Sequence, residues 1–118
     1  KKETQMLLEK IVKLKREQEA EVYKIHLAFI KKSHSLREKK IESDYRLLRK
    51  KEFGNHKKNK KIENDLKKNA QDFKQKLKDT RQQYLGKKLK QTINKYKEKI
   101  DTLTKQFRQK LKGIQEKG

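Results

Sequence analysis

The apolar residues of this sequence recur at steps of three and four along most of its length. This spacing places them on one face of an α-helix, and the period-two alternation of a strand is not sustained anywhere. In the first half the steps approach three turns in eleven residues, which suits a nearly straight seam, and from Leu89 they become heptads. We therefore predict an all-α coiled coil whose seam is formed by Leu7, Ile11, Leu14, Val22, Ile25, Phe29, Leu36, Leu48, Ile62, Leu66, Phe73, Leu77, Leu89, Ile93, Tyr96, Ile100, Leu103 and Phe107.

A second apolar stripe runs beside the seam in the first half of the chain. The two stripes together make a face wider than a two-helix seam requires, so this half is expected to pack against more than one helix. The members of the second stripe are Tyr23, Leu27, Ile30, His34, Ile41, Tyr45 and Leu48.

Residues 49–61 interrupt the pattern, with seven Lys or Arg residues and one large apolar side chain, Phe53. Gly54 tolerates the left-handed conformation that ends many helices, and Asn55 or Asn59 can cap the helix that follows. We predict a long antiparallel helical hairpin, a single coiled-coil segment over residues 1–118. Helix 1 is expected at about 4–53, the turn at about 54–58 and helix 2 at about 59–114. Phe53 either packs against this turn or is exposed at its tip.

Two alternatives to the hairpin stay open. The eleven-residue phase continues from Leu7 through Phe29 to Ile62, and one glycine inside a helix costs only about 1 kcal/mol, so one continuous rod-like helix is the first alternative. Three antiparallel segments with a bend near Gly86 are the second. If the hairpin is correct, partners across the seam have residue numbers that add up to about 110, which places Leu14 opposite Tyr96.

The composition changes this picture in one respect. Apolar residues make up 30% of the chain, against about 45–50% in ordinary globular proteins, so one chain has little surface with which to build a core. Proline is absent and only four glycines occur, which favours helix over a disordered polycation. We expect a homo-oligomer or part of a larger helical assembly. No apolar run approaches the ~20 residues of a membrane span, and we expect an intracellular protein, soluble or peripheral, in the nucleus or the cytoplasm.

The sequence contains no pattern of residues that would carry catalysis. It has no nucleotide-binding glycine motif, no metalloprotease motif and no calcium loop, and its three histidines lack a third ligand at workable spacing. Most carboxylates lie near lysines, as surface ion pairs of a helix do. We expect no enzymatic activity, no cofactor, no metal and no small-molecule substrate.

The charge is the strongest indication of function. The chain has 37 Lys and Arg residues against 16 Asp and Glu, a net charge of +21, which exceeds what solubility requires. We expect a structural or scaffolding coiled coil that self-associates and binds a polyanion: a nucleic-acid backbone, an anionic membrane or an acidic filament. The alternative is a protein interaction module that an acidic protein partner complements, without nucleic acid or lipid. The candidate polyanion-binding residues are Arg49, Lys50, Lys51, Lys57, Lys58, Lys60, Lys61, Lys87, Lys88 and Lys90.

Overall fold

The computed structural model describes the backbone of residues 2–117 and the side chains of residues 2–114. Helix α1 spans Lys2–Leu48, and α2 begins after a turn and spans His56–Arg81. A π-helical segment, Gln82–Lys88, leads directly into α3, Leu89–Lys117. The described part of the chain contains no strand. The predicted all-α helical hairpin is confirmed.

The chain divides into two compact units. The terminal unit combines Lys1–His26 with Leu85–Gly118, and the turn unit is Leu27–Tyr84. In the turn unit the amide of Asn69 donates to the hydroxyl of Ser43 at 2.8 Å, so α2 runs antiparallel to the end of α1. The hairpin is therefore found rather than one continuous helix.

The terminal unit pairs the start of α1 with α3. Lys110 donates to the carboxylate of Glu3 at 2.5 Å, and the hydroxyl of Tyr96 donates to Glu21 at 2.7 Å. Glu3 lies beside Lys110 and Glu21 beside Tyr96, so residue numbers fall along α3 as they rise along α1. The start of α1 and α3 are therefore antiparallel too. Gly86 lies inside the π segment, where the helical backbone is uninterrupted, so no turn separates a third antiparallel segment there.

The turn forms where the sequence indicates, with different bounds. Gly54 has a φ of +81°, in the left-handed region that glycine adopts without strain. Asn55 caps α2, because its side chain accepts a hydrogen bond from the backbone N–H of Lys58 at 3.1 Å. Asn59 bonds to both backbone groups of Glu52, at 2.7 and 2.9 Å. Because Glu52 is held in this way outside any helix, α1 ends at residue 48 rather than near 53, and α2 begins at residue 56 rather than near 59.

The register between the helices differs from the expected one. Ser43 bonds to Asn69, whereas residue numbers that add up to about 110 would place residue 67 opposite it. The Tyr96 hydroxyl bonds to Glu21, whereas Leu14 was the expected neighbour. One reason is the turn, in which the first residues of α2 bond to Glu52 instead of lying beside α1. The other is the π segment, which holds more residues per turn than an α-helix.

The seam is largely where the periodicity placed it. Ile11, Ile62 and Tyr96 are buried, and most of the other predicted seam residues are half-buried. Leu48 and Ile93 are the exceptions, with 49% and 38% of their surface exposed. Leu48 follows the inward Leu47 and is turned 100° around α1 from it, towards the second apolar stripe. Half-buried Leu47 and Thr92 occupy the corresponding inward positions instead.

The π segment explains why the apolar spacing changes near Leu89. The eleven-residue phase of α2, which runs from Ile62 through Phe73, would turn Lys95 towards the partner helix. Tyr96 is the buried residue instead, and Lys95 is exposed. One additional residue in the wider π turns shifts the inward face by one position. The apolar side chains of α3 thereby remain on the seam.

Candidate polyanion-binding surface

The positive charge is distributed unequally between the two arms of the hairpin. Helix α1, Lys2–Leu48, contains 12 Lys and Arg residues against 8 Asp and Glu. Residues 49–117 contain 24 basic residues against 8 acidic ones. The first arm is therefore nearly balanced, and most of the excess charge belongs to the turn and the second arm.

Within the turn unit this charge forms a continuous row on α2. At 100° per residue, seven lysines lie on the side of α2 opposite its seam, and all seven are exposed. The uncharged residues Asn64, Gln71 and Gln75 lie among them, whereas the acidic residues of α2 lie at the edges of this face or on its flanks. The row is about 32 Å long at 1.5 Å per residue. We call it the lysine ridge; it consists of Lys57, Lys60, Lys61, Lys67, Lys68, Lys74 and Lys78.

The carboxylates of the turn unit that form ion pairs do so with other basic residues. Lys40 contacts Asp44 at 2.7 Å, and Arg46 contacts Glu42 at 2.6 Å. Lysines at the turn are paired with Glu52 and Glu63. Among the side chains of residues 2–114, no acidic group forms an ion pair with a lysine of the ridge. Within the side chains that the structure describes, the charge of the ridge is therefore not neutralised by ion pairs, although Lys67 attracts Glu63 at longer range.

The pKa values of the turn carboxylates reflect these contacts. A hydrogen bond from Lys58, 2.6 Å long, is the main cause that lowers the pKa of Glu52 below its ordinary value. A hydrogen bond from Lys51 likewise lowers the pKa of Glu63. Both carboxylates are thus held in the charged form by neighbouring lysines, which fixes the turn beside the ridge.

The start of α2 adds to the positive potential. Its first turn contains no acidic residue, although the N-terminal end of a helix favours negative charge. Lys57 and Lys58 lie in this turn instead, and Lys60 and Lys61 follow in the next. This placement is unfavourable for the isolated helix, and an anion bound at this end of the ridge would relieve the repulsion.

The predicted candidates do not form one site. Lys57, Lys60 and Lys61 belong to the ridge, whereas Lys51 and Lys58 are engaged in ion pairs at the turn. The guanidinium of Arg49 lies 5.6 Å from the centre of the Tyr45 ring, and Lys50 is exposed. The remaining candidates, Lys87, Lys88 and Lys90, lie in the terminal unit on the π segment and α3.

Sequence reasoning missed four members of the ridge. Density of charge guided the choice of candidates, and these lysines are spread along the helix in pairs and singly. A projection of helix 2 opposite its own seam would have found them, because that face depends only on helical periodicity. The four are Lys67, Lys68, Lys74 and Lys78.

Phe53 is fully exposed at the turn, with 109% of its reference surface accessible. It does not pack against the turn. Within the described residues, no helix is long and apolar enough to cross a membrane. The described residues also contain no group of three or more His, Cys, Asp or Glu side chains arranged to hold a metal ion.

The ammonium groups of the ridge are suited to one class of ligand, anions with phosphate or carboxylate groups. Ammonium groups act as point charges, which neutralise phosphates or carboxylates without reading their planar geometry. The fold is an all-α helical hairpin, and no protein-family model, curated protein or solved structure matches the chain.

Proposed function

We propose that this protein is a non-catalytic helical scaffold that binds a polyanion through the lysine ridge of α2. The observation that carries the proposal is the row of seven exposed lysines, without ion-pair partners among the described side chains, beside a nearly balanced α1. Close basic residues repel one another, and a bound polyanion compensates this cost along the full length of the ridge.

The composition of the ridge favours the phosphate backbone of a nucleic-acid duplex over the other polyanions. No aromatic side chain lies on it to stack with unpaired bases, and no apolar side chain lies on it to enter a lipid surface. Its length of about 32 Å is close to one helical turn of B-form DNA, about 34 Å. Lysines without arginines suit contacts to phosphates rather than to base edges. We therefore propose binding that does not depend on base sequence.

A salt series with matched charge variants tests this proposal. The ridge variant combines Lys60→Gln, Lys67→Gln and Lys74→Gln. The control variant combines Lys10→Gln, Lys15→Gln and Lys32→Gln, which removes the same charge from exposed positions of α1. Binding to a fluorescein-labelled DNA duplex is measured by anisotropy at several salt concentrations.

Each lost phosphate contact lowers the slope of log K against log salt by about 0.9. The ridge variant should therefore lose about 2.7 units of slope, and the control variant much less. Equal losses in both variants would show that the charge acts without a defined surface, and the ridge would not be the site.

Two further probes decide the class of polyanion. Vesicles with phosphatidylserine and a polyglutamate chain are tested in the same buffer, at about 0.15 M salt, where the Debye length is about 8 Å. Tighter binding of polyglutamate than of the duplex would support the alternative function, an interaction module complemented by an acidic protein. Tighter binding of vesicles would assign the ridge to a membrane surface. Negligible binding of all three would refute the polyanion proposal.

A further inference from the structure

The second apolar stripe of α1 is uncovered in the turn unit. Leu27, Ile30, Ile41, Tyr45 and Leu48 expose between 38% and 68% of their surface. Together with His34 they form the outer stripe. At 100° per residue the outer stripe lies about 140° around α1 from the seam, on the side away from α2. Leu27 and Ile30 form one exposed apolar pair and Ile41, Tyr45 and Leu48 a second cluster, with His34 between them; exposed apolar clusters on one face mark interaction sites in many proteins.

The spacing of the outer stripe is the same from either end. Leu27, Ile30 and His34 precede its midpoint, between residues 37 and 38, by the same intervals at which Leu48, Tyr45 and Ile41 follow it. In a two-fold symmetric contact between antiparallel helices, the same patch serves both copies. Each residue then lies level with the residue of the other copy that is equally far from the midpoint on the opposite side, as Leu27 does with Leu48.

One pair of charges beside the stripe fits a second copy as well. In the antiparallel arrangement Lys31 of one copy lies on the same flank as Glu42 of the other, about 3 Å apart along the axis at 1.5 Å per residue, and the symmetry repeats this contact. Among the described side chains, the ion-pair partner of Glu42 is Arg46, at 2.6 Å, and both residues are exposed. Near the midpoint the symmetry places Glu38 beside Glu38 of the second copy on this flank and Arg37 beside Arg37 on the other; these like-charge contacts oppose the dimer, and their exposure to water keeps them weak.

The distribution of charge along the chain removes the main obstacle to self-association. A net charge of +21 opposes contact between copies. However, residues 27–48, which carry the outer stripe, have an excess of three positive charges against eight in residues 49–81, and the lysine ridge lies on α2, on the far side of the turn unit from the outer stripe. Two copies that meet through α1 therefore keep their ridges apart.

We propose that the outer stripe binds the outer stripe of a second copy in an antiparallel, two-fold symmetric contact. The contact leaves a lysine ridge on each outer face of the dimer. This proposal deepens the scaffolding part of the proposed function, and it does not depend on binding of a polyanion. The tests below are therefore carried out without polyanions, so that either proposal can fail while the other stands.

Cysteine crosslinking tests the arrangement, because the described chain has no free cysteine to interfere. Leu27→Cys and Leu48→Cys variants are prepared separately and oxidised alone and as a mixture. A covalent dimer is expected from the mixture, and little from either variant alone. Crosslinking of each variant with itself, and not of the mixture, would establish a parallel contact and overturn the proposal.

A charge exchange tests the same contact without cysteine. Lys31→Glu and Glu42→Lys each place like charges together at two symmetric positions, and each should weaken the dimer about tenfold in sedimentation equilibrium. The double variant restores both pairs and should recover the affinity of the unmodified chain. Lys32→Glu, a neighbouring exposed change off the stripe, serves as the control for net charge.

Circular dichroism checks that every variant remains helical. The proposal would be refuted if the protein were a monomer at all concentrations. It would also be refuted if the protein formed a dimer that no substitution on the stripe weakened. A double variant no tighter than the single ones would refute it as well.

Discussion

The replacement of Ser33 by alanine should stabilise the protein, although most changes at buried positions do the opposite. Ser33 is 2% exposed, and its hydroxyl oxygen has no hydrogen-bond partner among the described residues. A buried polar group without a partner costs about 1–3 kcal/mol. Alanine is also the better helix former, by a few tenths of a kcal/mol. After allowance for a small void, we expect Ser33→Ala to raise the free energy of unfolding by about 1–2 kcal/mol.

Thr80 provides a matched control in the same unit. It is 7% exposed, and its hydroxyl donates to the backbone carbonyl of Lys76 at 2.8 Å. Thr80→Val removes a hydroxyl that is already bonded, so it should lower the free energy of unfolding by about 0.5–1.5 kcal/mol.

Urea unfolding followed by circular dichroism at 222 nm measures both effects, at one fixed protein concentration because association shifts apparent stability. A loss of stability in Ser33→Ala as large as that in Thr80→Val would contradict this prediction. The hydroxyl of Ser33 would then have a partner, such as a water molecule, in solution.

Further predictions concern the turn, the π segment and the response to pH. Gly54→Ala should cost about 1–2 kcal/mol, because φ is +81° there, whereas Gly86→Ala, in helical backbone with open space around it, should gain about 0.5–1 kcal/mol. Asn55→Ala removes the cap of α2 and should cost about 1 kcal/mol. The hydrogen bond from Tyr96 lowers the pKa of Glu21 below 4.5, so the stability it contributes is present above pH 4.5 and is lost on acidification. The same hydrogen bond raises the pKa of Tyr96 from 10.0 to about 12, so its contribution is present below pH 10 and is lost between pH 10 and about 12.

Thermal unfolding of the glycine and cap variants, and urea unfolding across the pH range, check these expectations. Equal effects of alanine at Gly54 and Gly86 would contradict the different backbone conformations of the two sites. Tyr96→Phe serves as the control for the alkaline loss. If that variant lost stability between pH 10 and 12 as the unmodified chain does, another group would be responsible.

Local sequence predicted much of the fold because its determinants are local. The steps of three and four place Ile11, Ile62 and Tyr96 on inward faces whatever the partner is, Gly54 supplies the left-handed residue of the turn, and Asn55 caps the next helix. The bounds of the turn were less predictable. They depend on Asn59 reaching back to the backbone of Glu52, seven residues earlier, which no local propensity describes.

The ridge was predictable in part. The bunching of charge after Gly54 pointed to Lys57, Lys60 and Lys61, but it also selected Lys51 and Lys58, which the folded turn places beside carboxylates. Whether a lysine is free to bind a ligand depends on these contacts between distant parts of the chain, and composition contains no information about them.

The sequence by itself determined that this protein is helical and strongly basic, and it favoured a turn near Gly54 without excluding a continuous rod. Only the tertiary structure decided the register, which contacts such as that of Ser43 with Asn69 set. It also decided which of the two apolar stripes of α1 is covered by α2. The physical reason is that periodicity fixes the angle of each side chain around its own helix. It fixes neither the axial position of a partner helix nor which of two apolar stripes that partner covers.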